Sequence, residues 1–189
     1  IAAFLSIQDP RERPSDKVEA ADERHVKFAD ERSDFVAILN LWRAAQEQAT
    51  AGQRPLRRWC RQNFLAYLRM REWQDLYAQI RRVASQMGMR TRHGGEPPDA
   101  DTIHRAPLGG LLSHVGMYDR GTRDHVGARQ VHFTIARGSV LNRKSPAWVM
   151  AGELVETNRL WARMAARIDP SWIEPAAEHL VRRTYGEPW

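Results

Sequence analysis

The chain has 189 residues, enough for one good core or two small ones, with 42% hydrophobic and 28% charged residues. The net charge of +6 and a pI near 10.1 favour nucleic acid or an acidic surface as partner and say nothing about fold. A single cysteine, Cys60, excludes an internal disulfide and a cysteine-cluster zinc site, and no apolar run reaches membrane-spanning length. A reducing, cytoplasmic setting with no membrane partner is the expectation. Basic charge is carried almost wholly by arginine, since Lys17, Lys27 and Lys144 are the only lysines. The chain opens on Ile1 inside an apolar run rather than on Met, so the expectation is a segment of a longer protein.

Ile1–Ile7 reads as the close of a helix, broken by the prolines of QDPRERP at residues 8–14. Asp16–Asp30 is polar and helical in pattern, with Val18, Ala21, His25 and Phe28 on one face. Ser33 is placed to cap the next helix, whose face holds Phe35, Ile38, Leu39 and Trp42 and which ends near Gly52. Leu56, Trp59, Cys60, Phe64, Tyr67 and Leu68 continue a helical stripe through Trp73, Leu76, Tyr77, Ile80 and Val83 to about Met87. That length predicts two helices with a bend near Gln62 or Met70, packed against the Ser33–Ala51 helix. Nine arginines face two acids between Arg54 and Arg90, so this region also predicts a basic helical face suited to a polyanion.

Arg90–Pro98 (RTRHGGEPP) reads as a turn or insertion. Asp101 or Thr102 can cap a helix running towards Val115, weakened by Pro107 and Gly109–Gly110. The pattern then changes. A hairpin is expected between Gly121 and Gly127, and Val131, Phe133 and Ile135 alternate with polar residues as in a half-buried strand. Arg137–Gly138–Ser139 is a turn and residues 142–146 (NRKSP) a basic loop. Trp148–Thr157 reads as a strand in which Gly152 signals a bulge or close approach; Leu160–Ile168 suits strand or helix by local propensity, and its position after a strand favours pairing as a hairpin. Asp169–Pro170 opens a last helix through Trp172, Ile173, Ala176, Ala177, Leu180 and Val181. The fold class is α+β: a helical bundle over residues 1–100, then a small antiparallel barrel with flanking helices over residues 101–189.

Several words along the chain carry a resemblance. They are FLSIQDPRERP (4–14), LNLW (39–42), YLRMREWQDL (67–76), GLLSHVG (110–116), WVMAGELVETNRLWAR (148–163) and DPSWIEPAAEHLVRRTYGEP (169–188). Together they resemble the region that follows the motor core in bacterial DEAH-box RNA helicases of the HrpA type. The resemblance implies the end of a helical-bundle (ratchet-like) domain followed by an oligonucleotide-binding (OB) fold. It implies single-stranded RNA and the motor domains as partners, and a place lining the RNA channel. It also implies ATP and Mg2+ bound by the motor domains of a 3′ to 5′ enzyme linked to stalled ribosomes. The chain itself has no Gly-rich loop ending in Lys-Ser or Lys-Thr and no Asp-Glu-Ala-His box. No catalytic group, cofactor site or metal site is therefore expected in it, and no ATPase activity on its own.

Eight residues are candidate RNA contacts. Arg69 and Arg71 flank Met70 and point in different directions, towards RNA or towards acids of their own domain such as Glu72 and Asp75. Arg137, Ser139, Arg143 and Lys144 cluster on a strand connection, where barrels of this type hold nucleic acid through the phosphate backbone. Ser139 matches the family loop nearest that backbone. Asn158 and Arg159 sit on the next connection. Trp59, Trp73, Trp148, Trp161 and Trp172 fall at apolar positions and read first as core. The rival reading is a protein-interaction or scaffold module whose basic surface meets motor domains, a ribosomal protein or another acidic partner.

Overall fold

A computed structural model describes residues 1–89 and 98–179. The chain divides into two compact units, Ile1–Pro98 and Asp99–Trp189.

The first unit is helical. The short helix α1 (Ala2–Leu5) buries Ala3 and Phe4, and Phe4 meets Trp73 edge-on at 4.9 Å. The proline-broken segment after it is extended and is tied to residues 64–66. Glu12 N–H donates to the Phe64 carbonyl at 2.8 Å and Ala66 N–H to the Pro10 carbonyl at 2.8 Å. Helix α2 (Val18–His25) follows, then a single 3-10 turn, and then α3 (Asp34–Thr50). The Ser33 hydroxyl accepts from Val36 N–H at 3.2 Å, the capping bond its position predicts. Phe35, Ile38, Leu41 and Ala45 are the buried stripe of α3, whereas Leu39 and Trp42 are only half-buried. Gly52, at φ 112, makes the left-handed connection that lets α4 (Gln53–Gln62) fold back.

The long stripe expected from Leu56 to Met87 is interrupted once, just past Gln62. Leu65 N–H closes back on the Cys60 carbonyl at 2.9 Å while Phe64 takes φ 51. This is the Schellman ending of a helix with Phe where Gly usually stands, so composition does not announce it. Met70 does not bend the chain; it is buried inside α5 (Tyr67–Gln86). The expected core stripe of α5 stops at Trp73. Trp42 packs on Trp73 (4.7 Å) and Tyr77 (4.9 Å), but Tyr77, Ile80 and Val83 are exposed.

In the second unit α6 (Ala100–Leu108) is capped by Asp99, whose Oδ1 accepts from Thr102 N–H at 2.7 Å. The cap therefore lies upstream of Asp101 and Thr102. The helix stops at Gly109 and does not run towards Val115, because Pro107 removes a donor in its last turn. Five strands then close a barrel in the order β1-β2-β3-β5-β4: β1 Val115–Asp119, β2 Asp124–Gly127, β3 His132–Ile135, β4 Trp148–Glu156 and β5 Leu160–Arg167. The barrel is not wholly antiparallel, since β3 pairs with β5 in parallel, Thr134 opposite Trp161. A closed ring with an odd number of strands cannot alternate direction all the way round.

Phe133, Ile135, Leu141, Val149, Ala151, Ala162 and Ala165 fill the barrel. The β4–β5 register is constant on both sides of Gly152. The inward phase nevertheless slips by one on each strand, from Ala151 to Leu154 and from Ala162 to Ala165, with Met164 at φ 53 facing Gly152. Paired irregularities of this kind bend both strands together and leave their ladder in register. A 3-10 turn capped by Asp169 leads into α7 (Ile173–Ala176), and the Arg105 guanidinium of α6 lies 4.7 Å over the Trp172 ring. Leu180 and Val181 of the expected last helix, and residues 90–97 of the expected turn, lie outside the described residues.

Candidate nucleic-acid interface

Register decides which side chains share the outer face of the barrel. Met117 pairs with Val126 and Val126 with His132, giving one cross-strand row. Asp119 pairs with Asp124, and Thr134 with Trp161. The Thr134 hydroxyl donates to Asp124 Oδ1 at 2.6 Å, so these four residues form a second row across β1, β2, β3 and β5. Trp161 is half-buried and anchored, its Nε1–H donating to Thr157 Oγ1 at 3.2 Å. Arg159 arches over it, 5.6 Å from the ring, and reaches Thr134 Oγ1 at 3.4 Å. An aromatic face beside a guanidinium on an open strand surface suits an unpaired base and its phosphate.

Two turns border this face. The β1–β2 turn is organised by Asp119, which accepts from Gly121 N–H (2.8 Å) and the Thr122 hydroxyl (3.2 Å). Those bonds, the Gly121 amide first, hold the Asp119 carboxyl below the usual carboxylate range. Arg120 and Arg123 are exposed on this turn, with Arg123 at φ 59. The β4–β5 turn carries Asn158 and Arg159, and Thr157 donates to Asn158 Oδ1 at 3.1 Å.

A closed five-stranded barrel with this strand order is one observation; its sequence is the other. Residues 103–180 match the family described as "Oligonucleotide/oligosaccharide-binding (OB)-fold". The barrel unit is an OB-fold domain. The whole chain is also similar to the ATP-dependent RNA helicase HrpA of Escherichia coli, 53% identical over 189 residues. It is 51% identical over the same length to the ATP-dependent RNA helicase HrpA homolog of Haemophilus influenzae. All of this chain is covered in both comparisons, and it spans 14% of the length of each relative.

The eight residues singled out from sequence fall in three places. Arg69 and Arg71 belong to the helical unit and are engaged there. Arg69 Nη1 donates to the Asp9 carbonyl at 3.0 Å, and Arg71 lies 3.7 Å from Asp75 one turn on. Arg137, Ser139, Arg143 and Lys144 follow the C-terminal end of β3 in the OB-fold domain. Ser139 Oγ accepts from Leu141 N–H at 3.2 Å, and Asn142 Nδ2 donates to the Ile135 carbonyl at 2.7 Å. With Leu141 buried in the barrel, these bonds clamp the loop and hold Arg137 and Arg143 outwards. Asn158 and Arg159 precede the N-terminal end of β5. Because β3 and β5 run parallel, these two groups lie at opposite ends of one ladder, with Thr134 and Trp161 between them.

Sequence reasoning passed over Arg120, Arg123, Thr134 and the outward role of Trp161. Their signal was present only as alternation, and Trp161 read as core because its apolar neighbours do. Trp73 is buried, while Trp59, Trp148, Trp161 and Trp172 are half-buried. Burial pushes the Cys60 thiol up to about 11, as for a small packed hydrophobe. Among the described residues no group of His, Cys, Asp or Glu has a metal-holding arrangement, and no helix is long and apolar enough to cross a membrane.

Proposed function

We propose that this chain is the RNA-gripping accessory segment of an ATP-dependent RNA helicase. The OB-fold domain holds single-stranded RNA along the Thr134–Trp161 row, with Arg159 and Asn158 at one end and Arg137, Ser139, Arg143 and Lys144 at the other. Trp161 stacks on a base and the arginines meet phosphates, which gives grip with little sequence preference. The helical unit transmits and braces as part of the longer protein, which also holds the motor domains. Those domains bind ATP and Mg2+, drive 3′ to 5′ movement and, with this segment, line the RNA channel of a cytoplasmic enzyme acting at stalled ribosomes. Arg69 and Arg71 serve their own unit in this reading.

The observation that carries the proposal is the anchored Trp161 beneath Arg159 on the open barrel face. It is tested by fluorescence anisotropy of a labelled single-stranded RNA with this chain between about 50 and 300 mM salt, the range over which phosphate contacts weaken steeply. Trp161→Ala is expected to weaken binding by about 5- to 150-fold, from the ~1–3 kcal/mol that one stacked base contributes. RNA binding that ignores Trp161→Ala and the joint change of Arg137 and Lys144 to Ala would sink the proposal. Saturable binding of an acidic protein that RNA does not displace would favour the scaffold reading instead.

A further inference from the structure

Strand β2 reads DHVG, and the alternation of a strand sends every second side chain to the inside of the barrel. Asp124 faces out, since its carboxylate accepts from the Thr134 hydroxyl. His125 therefore faces in. It is 3% exposed, lies opposite Tyr118 on β1 and Phe133 on β3, and stacks on the Phe133 ring with the planes 13° apart. Burying an imidazole costs free energy that an aliphatic side chain does not, unless its N–H is satisfied. A specific bond meets that need: Nε2 lies 2.9 Å from the Pro146 carbonyl, 21 residues along the chain. A carbonyl only accepts, so Nε2 carries the hydrogen.

Pro146 closes the basic loop between β3 and β4. The front of that loop is fixed by Leu141 in the barrel and by Asn142 on the Ile135 carbonyl. Lys144 N–H then donates to the Leu141 carbonyl at 2.9 Å. Just past Pro146, Tyr118 N–H donates to the Ala147 carbonyl at 2.8 Å, and β4 begins. Arg143, Lys144 and Ser145 are exposed between these fixed points. Ser145 stands at φ 39, which a residue other than glycine keeps only when its surroundings hold it there. Proline has no N–H, so the carbonyl is the one backbone group through which Pro146 can be held, and His125 takes it. Without that bond Ser145 is free to relax, and Arg143 and Lys144 move with it.

We infer that His125 is the positioning residue of the 137–146 loop: its imidazole, seated on Phe133, pins Pro146 from inside the barrel and so fixes where Arg143 and Lys144 meet RNA phosphates. Contact with phosphates rests on the RNA-gripping reading of the barrel; the pin on Pro146 does not.

Three variants of the full chain are compared with the parent. His125→Phe keeps a ring on Phe133 and loses the donor. His125→Gln keeps a donor at similar reach and loses the ring. Arg143→Gln with Lys144→Gln removes the charges that the loop presents. Loop order is read from heteronuclear NOE values at the amides of Arg143, Lys144 and Ser145. RNA contact is read from the salt slope of labelled oligouridine binding.

In the parent, imidazole nitrogen shifts are expected to show His125 as the Nε2–H tautomer. His125→Phe is expected to melt cooperatively, to lose loop order and to lower the salt slope by up to about 1.4, the value for two phosphate contacts at ~0.7 each on a single strand. Arg143→Gln with Lys144→Gln lowers the slope by the same amount and leaves the loop ordered. His125→Gln restores both order and slope, whereas a role in packing alone would favour Phe over Gln. The Nδ1–H tautomer in the parent, an ordered loop in His125→Phe, or a disordered loop in His125→Gln overturns the inference. So does a parent-like slope in His125→Phe when the Arg143 and Lys144 variant lowers it. A parent-like slope in that last variant refutes the barrel reading at this loop, and the NOE comparison still decides whether His125 pins Pro146.

Discussion

Gly116→Ala is the sharpest test of how the barrel is closed. Gly116 on β1 pairs with Gly127 on β2 and with Val149 on β4, so its backbone is held from both sides. The Phe133 ring lies across this glycine pair. A methyl on Gly116 would overlap Phe133 Cζ and stand 2.8 Å from Cε1 and 3.1 Å from His125 Cβ. Phe133 is 1% exposed and stacks on His125 at 5.7 Å, so the ring has nowhere to go. Overpacking of this kind costs about 1–3 kcal/mol. With the backbone paired on two edges, the upper end is expected. Urea unfolding followed by hydrogen exchange of barrel peptides reads this unit apart from the helical one. Adding Phe133→Leu to Gly116→Ala removes the clash, so the pair is expected to be non-additive by about 1–3 kcal/mol in the favourable direction. An unchanged midpoint for Gly116→Ala, or strict additivity of the two, would refute the seat assigned to Phe133.

His25 makes stability fall in mild acid. Its Nε2–H meets the Asn63 and Phe64 carbonyls at 3.0 and 3.2 Å, and among the described residues buried Nδ1 has no hydrogen-bond partner. Burial first, then the nearby Arg11 and Arg13 charges, outweigh the two carbonyls and lower its pKa below the ordinary 6.5. The unfolded chain therefore binds more protons as pH drops through 6.5, and stability declines until the folded pKa is passed. His25→Gln should flatten that slope in thermal melts between pH 7 and 5; His125, also lowered by burial, supplies what remains. Ser33→Ala removes the α3 cap and is expected to cost about 1 kcal/mol, with Ser33→Gly costing only a few tenths, measured by chemical denaturation. Replacing Arg58 and Arg61 by Ala relieves like-charge neighbours on α4. Each relieved pair is worth about 0.2–0.5 kcal/mol, so the thermal midpoint should rise at low salt and the gain should shrink at high salt. A lower midpoint at low salt would mean that these arginines are held by partners within the protein.

Much of the local structure is written in nearest-neighbour chemistry. Ser33 announces a helix start, Gly52 a helix end, and the alternation of Phe133 and Ile135 a strand. The arginine periodicity from 54 to 61 is visible without any coordinates. The resemblance carried by residues 148–163 and 169–188 points to the barrel and to its relatives. These signals are legible because each depends on residues a few positions apart, whose backbone geometry is the same in any protein. Three features were decided only by tertiary structure. The break at Asn63–Ala66 rests on Phe64 in a left-handed conformation, tolerated because residues 10–12 pair with residues 64–66 from far along the chain. The parallel β3–β5 pairing follows from closing five strands, a property of the ring and of no single strand. The candidate face arises because that pairing sets Thr134 opposite Trp161, residues 27 positions apart that no local pattern connects. Sequence alone marked most of the helices, the β3 and β4 strands and where positive charge concentrates. Which aromatic of the barrel faces outward is settled by long-range register, since a one-residue shift in pairing sends a side chain to the other side of the sheet.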